Sequence, residues 1–303
     1  MPQVTANGVS LEYECHGDPA HPPLLLIMGL GAQLTLWPGE FIAALVAHGY
    51  HVIRYDNRDI GLSTKFSEHA APNLRWVGLL RLIGLRARLP YRLSDMAADA
   101  VALLDALGIA KAHVVGASMG GMIAQLVASG WQERVLSLTS IMSTTGNSRL
   151  PPVKPEVLAT LMDRPANDTL EQVILLRLRS LKAISSPAYP ADQGRLRDLI
   201  AREYARSYHP SGAARQLAAI VDDGDRRKRL RAITAPTLVI HGEADPLIPV
   251  EGGHDTAASI AGAGLHTIAG MGHDLPVELT QEIADAIAGV ARDRGQATSV
   301  PQT

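Results

Sequence analysis

Short apolar runs alternate with amphipathic patterns along the first half of the chain. The run Pro23–Met28 is apolar throughout and ends at a glycine, which is typical of a strand buried on both faces of a parallel sheet. The pattern predicts strands over Val9–Glu14, Pro23–Met28, His51–Tyr55, Ala112–Val115 and Val135–Ile141. It predicts helices over Phe41–His48, Leu93–Leu107 and Met122–Ala128, the second with Ser94 as N-cap and Gly108 as its stop. Because strands alternate with helices, we predict an α/β fold with a mostly parallel central sheet, flanked by helices.

The alternation stops near Thr144. Residues 146–231 show helical patterns, many arginines and several prolines, but no strand-like run of comparable strength. The pattern then predicts two further strands and a last helix, over Ala235–His241, Gly264–Ile268 and Leu279–Ala291. We therefore predict a core of residues 1–145 and 232–296, a helical cap of residues 146–231 inserted between them, and a flexible tail over residues 297–303.

One segment, Asn73–Arg88, is both basic and apolar at helical spacing. We expect a helix that lines the mouth of the substrate pocket under the cap, with its apolar residues packed inward. A helix on a membrane surface is the alternative interpretation.

Bulk properties exclude several classes. The chain has 303 residues, 47% of them hydrophobic, and a formal net charge of −2, which argues against a nucleic-acid partner. Cys15 is the only cysteine, so no intrachain disulfide forms, and we expect it to be a small buried residue.

We find no signal peptide and no apolar run of transmembrane length, and expect a cytoplasmic protein without stable membrane insertion. No metal-ligand cluster, phosphate loop or dinucleotide fingerprint is present, so no cofactor or metal is expected. The pattern does not address the oligomeric state.

The motif Gly116-x-Ser118-x-Gly120 lies between a predicted strand and a predicted helix. That context is the one that a nucleophile elbow requires, because a sharp turn exposes the serine hydroxyl above the sheet. Glycines two residues away on either side avoid collisions with neighbouring elements. The Met119 N–H lies at a helix N-terminus and is directed towards developing negative charge. We therefore predict that Ser118 is a nucleophile and that Met119 supplies one oxyanion donor.

A serine nucleophile needs a base and a group that orients the base, in the chain order Ser, Asp or Glu, His. Asp245 and His273 each follow a predicted strand, where catalytic groups collect in such sheets. We predict a Ser118–His273–Asp245 triad. Four other residues are expected to have structural or supporting roles: Glu243, Asp274, His241 and His254. The segment after Ile141 carries no acid, which also favours Asp245.

A second oxyanion donor is expected from the glycine loop after the early buried strand, Met28-Gly29-Leu30-Gly31. We select the Leu30 N–H for that role. The alternative is that these glycines only form a turn.

These motifs together resemble the α/β-hydrolase fold, in particular the cap-bearing esterases. The Met-Gly-x-Gly loop, Trp37-Pro38, His51–Asp56 and Gly-Met-Gly-His273 are most similar to the aclacinomycin methylesterase group. The segment Asp56–Ser63 resembles the family's Asp-x-Arg-Gly-x-Gly-x-Ser turn. The resemblance covers essentially the whole core and implies carboxylic ester hydrolysis. Two residues depart from the family: Met28 replaces a frequent histidine, and Asp59 replaces the usual glycine of its turn.

We thus predict a carboxylic ester hydrolase that forms an acyl-enzyme with small to medium ester substrates. Two other enzyme activities share the triad: a cofactor-free perhydrolase and a carbon–carbon bond hydrolase of ring-cleavage products. From another class, a receptor on this fold retains the triad but turns over slowly. Fold alone does not decide among them. We expect the cap to control acyl or alcohol selectivity.

Overall fold

A computed structural model of the chain describes residues 2–163 and 165–297. Within these residues, eight strands form one sheet: Gln3–Ala6 (β1), Val9–His16 (β2), Pro23–Ile27 (β3), His51–Tyr55 (β4), Ala112–Ala117 (β5), Val135–Ile141 (β6), Thr237–Gly242 (β7) and Gly264–Ile268 (β8). Their order in the sheet is β1-β2-β4-β3-β5-β6-β7-β8. β2 pairs antiparallel with β1 and β4, and every other neighbouring pair is parallel. The predicted α/β architecture with a mostly parallel sheet is confirmed.

Helices cover both faces of the sheet and fill the long connection between β6 and β7. Their bounds are Gly39–Ala47 (α1), Leu74–Leu82 (α2), Leu93–Ala106 (α3), Met119–Gly130 (α4), Pro155–Met162 (α5), Leu170–Ile184 (α6), Gln193–Arg206 (α7), Pro210–Asp223 (α8), Arg227–Leu230 (α9), Glu251–Ala258 (α10) and Thr280–Ala297 (α11). Apolar residues of α3 and α4 pack on one face of the sheet. Those of α1 and α11 pack on the other. The central strands are therefore buried on both faces, as their continuous apolar runs predicted.

Four details differ from the sequence-based expectation. The short edge strand β1 has no clear alternating pattern and was not predicted. The α3 N-cap is Arg92 rather than Ser94, and the Asp95 side chain accepts the Arg92 N–H at 2.8 Å. Cys15 is exposed rather than buried, because β2 presents it on the outer side near the edge of the sheet. Helix α11 extends past Ala291, and the predicted tail beyond residue 297 lies outside the described residues.

The β6–β7 connection leaves and re-enters the core at one place, which we call the neck (residues 144–146 and 224–226). Gly146 and Gly224 both have positive φ, and a Cβ on Gly146 would lie 2.2 Å from the Gly224 carbonyl oxygen. Arg226 is fully buried there and donates to the Thr144 carbonyl at 2.7 Å, while its N–H donates to the Thr145 carbonyl at 2.8 Å. The glycines thus allow the two backbone segments to cross closely, and the Arg226 guanidinium binds one segment to the other. The division into core and cap remains a prediction.

Helix α2 packs only in part as expected. Val77 is buried against Ala87 and Ala218 of α8, but Trp76 and Leu82 of the same helix are exposed. The expectation that the apolar residues of this segment pack inward is therefore correct for Val77, Leu74 and Leu80 and wrong for its exposed apolar residues. No helix in the described residues is long and apolar enough to cross a bilayer.

Candidate active site

Ser118 lies in the turn between β5 and α4, with φ 56° and ψ −120°. A non-glycine residue in this region is strained and persists only where its surroundings hold it. The Ser118 N–H donates to the Ile141 carbonyl at 2.9 Å, and the Ser143 hydroxyl donates to the Ser118 carbonyl at 2.8 Å. A Cβ on Gly116 would lie 2.1 Å from the Gly120 carbonyl oxygen, so no larger residue fits. The Gly-x-Ser-x-Gly motif thus forms the tight strand–turn–helix that its sequence context predicted.

His273 links the serine to an acid. Its Nε2 lies 3.0 Å from the Ser118 Oγ, and its Nδ1 lies 2.7 Å from an oxygen of Asp245. Asp245 and His273 are 6% and 9% exposed, so water has little access to the pair. Low exposure strengthens their electrostatic interaction relative to that of a surface pair. The structure therefore brings together the three residues that the chain order singled out.

Asp245 is held from two sides in the loop after β7. One carboxylate oxygen accepts the N–H groups of Leu247 and Ile248, at 2.9 and 2.8 Å. The other oxygen faces His273. This local turn orients the carboxylate without the histidine, and hydrogen bonds of this kind are characteristic of Asp in loops.

Glu243, Asp274 and His241 form their hydrogen bonds with other groups. Glu243 accepts a hydrogen bond from the Thr267 hydroxyl at 2.9 Å. Asp274 accepts both the backbone N–H and the hydroxyl of Ser186. His241 is fully buried 2.8 Å from the Ile248 carbonyl, and burial lowers its pKa. The His241 Nε2 also lies 3.6 Å from the Asp245 oxygen that faces His273, which is beyond hydrogen-bond distance. A neutral imidazole in that position suits a structural role.

The loop after β3 lies directly beside the serine. A Cβ on Gly29 would lie 3.2 Å from the Ser118 Cβ, which is a tight contact, so glycine favours this close approach. The Asn57 side chain donates to the Met28 carbonyl at 2.9 Å, and the Gly31 N–H donates to the Gln216 side chain at 2.9 Å. These two bonds hold the loop on either side of Leu30. Within the part of the chain that the structure describes, the N–H groups of Leu30 and Met119 donate no hydrogen bond.

Ser186, in the α6–α7 connection, was not singled out from the sequence. It is 1% exposed, accepts the Gly272 N–H at 2.7 Å and donates to Asp274. The His273 N–H also donates to the Ile184 carbonyl at 2.7 Å. Burial raises the pKa of Asp274, although the bonds from Ser186 act against this. No local sequence signal marks Ser186, because its partners lie more than 80 residues away.

Asp59, the unusual residue of its turn, has φ 74° and is fully buried. Arg215 of α8 binds both of its oxygens, at 2.6 and 2.8 Å, and the Tyr91 hydroxyl donates to one at 2.8 Å. Burial acts to raise the pKa of Asp59, but the bonds from Arg215, Phe66 and Tyr91 outweigh it and lower that pKa. The carboxylate replaces a glycine and ties the turn to α8.

Comparison with known proteins identifies the family of the chain. Residues 22–278 match the alpha/beta hydrolase fold family. The chain belongs to the α/β-hydrolase family. Rhodomycin D methylesterase DnrP of Streptomyces peucetius is 32% identical over 312 residues, which cover 95% of this chain and 97% of that protein. The 3-oxoadipate enol-lactonase 2 of Acinetobacter baylyi is 26% identical, with 95% and 96% covered. The solved meta-cleavage product hydrolase of Pseudomonas fluorescens IP01 shares the fold, with a TM-score of 0.73, 22% identity and 98% of each chain covered. This α/β-hydrolase is an enzyme of the esterase type.

Proposed function

We propose that this α/β-hydrolase cleaves carboxylic esters through an acyl-enzyme on Ser118. His273 accepts the serine proton as Ser118 Oγ attacks the ester carbonyl carbon, and a tetrahedral oxyanion forms. The oxyanion accepts hydrogen bonds from the N–H groups of Leu30 and Met119. Asp245 orients the imidazole and stabilises the imidazolium.

The tetrahedral intermediate then collapses. The carbon–oxygen bond to the alcohol breaks, and His273 returns its proton to the leaving alkoxide. A water molecule attacks the acyl-enzyme, His273 takes the proton from that water, and Ser118 leaves with the proton as the free acid is released. The two half-reactions use the same base and the same donors.

The observation that carries this proposal is the continuous contact Ser118–His273–Asp245, at 3.0 and 2.7 Å, on a strained elbow. It supports a nucleophilic serine, because a hydroxyl is a poor nucleophile without an adjacent oriented base. The methylesterase relative supports an ester as the substrate. We propose small to medium carboxylic esters, with selectivity set by the inserted helices.

Related proteins also include an enol-lactonase and a hydrolase of carbon–carbon bonds. A lactone is a cyclic ester and needs the same chemistry. A carbon–carbon hydrolase, a perhydrolase and a slow receptor share the triad but differ in what they turn over. A panel of p-nitrophenyl esters, a lactone, a vinylogous diketone and peroxide distinguishes these activities.

The decisive experiment combines a fluorophosphonate probe with Ser118→Ala. We expect one probe molecule per chain on Ser118, and esterase activity that falls by three or more orders of magnitude in the variant. Unchanged circular dichroism and unfolding midpoint show that the fold survives the loss of one hydroxyl. Stoichiometric labelling of another residue, or an active Ser118→Ala variant, would contradict the proposal.

The base is tested separately with His273→Ala and a control variant, His254→Ala. Activity should vanish only in the first. Activity in His273→Ala together with its loss in His254→Ala would move the base to His254.

A further inference from the structure

The segment from α2 to the following loop exposes a cluster of large apolar side chains. Each member has between 48% and 85% of its surface accessible: Trp76, Leu79, Leu82, Ile83 and Leu85. Large apolar residues scattered singly on a surface are ordinary, but a contiguous group within ten residues marks a contact surface.

The inward side of α2 already has its partner. Val77 is buried with Ala87 and with Ala218 of α8, and Gly78 lies against Val221 of the same helix. An ordinary surface helix buries its apolar stripe and turns polar residues outward. Here a second apolar face remains on the outside, so packing within the chain does not explain it.

The same surface is strongly basic. Residues 69–94 contain no aspartate or glutamate. Three exposed arginines of this stretch form no ion pair within the part of the chain that the structure describes: Arg75, Arg86 and Arg88. Exposed aliphatic and tryptophan side chains bordered by unpaired guanidinium groups are the features of an interfacial membrane helix.

We propose that residues 75–88 form a docking surface for an anionic lipid bilayer. The apolar side chains enter the boundary between headgroups and acyl chains, where Trp76 is favoured by its amphipathic ring. The three arginines bind lipid phosphates and the negative surface. A second copy of this chain is a poorer partner, because a two-fold contact would place the same unpaired arginines against each other.

The position of this surface relates it to the active site. Helix α8 contacts α2 through Ala218, and it holds the Leu30 loop through the bond from the Gly31 N–H to Gln216. Helix α8 therefore contacts both the docking surface and the loop beside Ser118. Docking itself does not depend on the proposed ester chemistry, so Ser118→Ala should bind vesicles as the wild type does.

The test is co-sedimentation of the full chain with vesicles. We expect binding to vesicles of phosphatidylcholine with phosphatidylglycerol, weaker binding to phosphatidylcholine alone, and release at high salt. Arg75→Ala/Arg86→Ala/Arg88→Ala should weaken binding about 100-fold, since each basic residue near an anionic surface contributes roughly fivefold.

A matched control removes the same charge elsewhere. Three exposed arginines outside the segment serve this purpose: Arg149, Arg202 and Arg231. Their triple alanine variant should bind vesicles nearly as the wild type does. Equal weakening by both triple variants would overturn the proposal, because it would show a response to net charge only.

Trp76 provides a signal from the surface itself, because the environment of an exposed indole changes on docking. We expect the fluorescence emission to shift to shorter wavelength with anionic vesicles, and Trp76→Phe to abolish that shift while binding persists. Leu82→Asp/Ile83→Asp should abolish binding without changing turnover of a soluble ester. No binding by the wild type at low salt would overturn the proposal, as would a stable dimer that Leu82→Asp/Ile83→Asp converts to a monomer.

Discussion

Each oxygen of the Asp245 carboxylate has its own partners. One is saturated by the N–H groups of Leu247 and Ile248, and the other faces His273. The first oxygen therefore anchors the side chain, while the second selects the imidazole tautomer that carries its proton on Nδ1. That tautomer leaves Nε2 free to accept the proton of Ser118.

Asp245→Asn should retain the hydrogen bonds that hold the side chain in its loop but no longer favour the His273 tautomer with its proton on Nδ1. An asparagine oxygen accepts the same two N–H groups, but its NH2 then faces Nδ1 and favours the wrong tautomer. We expect kcat to fall about 10³–10⁴-fold with little change in KM or in the unfolding midpoint. Steady-state kinetics on a p-nitrophenyl ester measure this.

Glu243→Gln is the matched control, because Glu243 precedes Asp245 in the same loop and contacts Thr267 instead of His273. Its kcat should stay within about twofold of the wild type. If Glu243→Gln were the more damaging change, the acid would have to be reassigned.

Single residues differ in how well the sequence predicted them. Ser118 and His273 lie in short motifs whose geometry is local, so the pattern alone indicated them as candidates, and their side chains lie 3.0 Å apart. Cys15 was expected to be buried and is exposed, because burial depends on what the neighbouring elements cover. Ser186 has no motif, and its role depends on contacts more than 80 residues away in the chain.

At the scale of elements, the α6–α7 connection packs against the loop that carries His273. It contacts the loop after β8 through Ser186, which binds Gly272 and Asp274 on either side of His273. The loop after β8 therefore packs against the α6–α7 connection. A substitution in that connection should therefore alter the position of His273 without removing a contact to the substrate.

Ser186→Ala removes a buried hydroxyl and leaves the Gly272 N–H and Asp274 without that partner. We expect kcat to fall about tenfold with KM nearly constant, because bonds of this type contribute about 1–3 kcal/mol to holding their partners. The rate of fluorophosphonate labelling should fall in parallel. Ser186→Thr retains a hydroxyl and should recover part of the loss.

Ser185→Ala is the control for this element. Its hydroxyl donates only to the Lys182 carbonyl of its own helix. Wild-type kinetics in this variant would assign the effect to the contact with the histidine loop. An equal loss of kcat in both variants would mean that the effect comes from the local structure of the connection and not from the hydrogen bonds of Ser186.

Helices and strands were predicted best where the apolar run was long. The strands at the centre of the sheet are buried on both faces and were found within one or two residues of their ends. Strand β1 has four residues at an edge, too few for an alternating pattern to emerge. Helix α2 was predicted as a helix, but its outward apolar face contradicted the expected burial.

Over the whole molecule, α8 and the turn after β4 are joined by a buried ion pair. Asp59 and Arg215 are 0% and 1% exposed at their side chains, and two hydrogen bonds connect them. A buried pair adds little net stability compared with apolar residues, yet the loss of one partner is costly. We therefore expect the pair to couple the unfolding of α8 to that of the sheet.

Arg215→Met should lower the free energy of unfolding by about 3–5 kcal/mol at pH 7, since it strands the Asp59 carboxylate in the interior. The double variant Asp59→Gly/Arg215→Met should recover most of this loss, because glycine also suits the positive φ of that position. Urea unfolding followed by circular dichroism measures both. A double variant no more stable than the single one would contradict a charge-based cost.

The free energy of unfolding lost in Arg215→Met should depend on pH. Arg215 lowers the Asp59 pKa in the wild type, so the stabilisation is present above the ordinary value of about 3.9 and fades as the pH falls below it. In Arg215→Met the stranded carboxyl takes up a proton more readily than in the unfolded chain. The difference between the two proteins should therefore narrow from pH 7 to about pH 4.

The neck at residues 144–146 and 224–226 has an evolutionary consequence. Because the two ends of the intervening segment meet, about 80 residues close a loop whose entropic cost depends only weakly on its length. Ancestral lineages could thus lengthen, shorten or replace this segment as a cassette without disturbing the register of β6 and β7. Glycines at the crossing and the guanidinium of Arg226 are the parts that such exchanges would have to inherit.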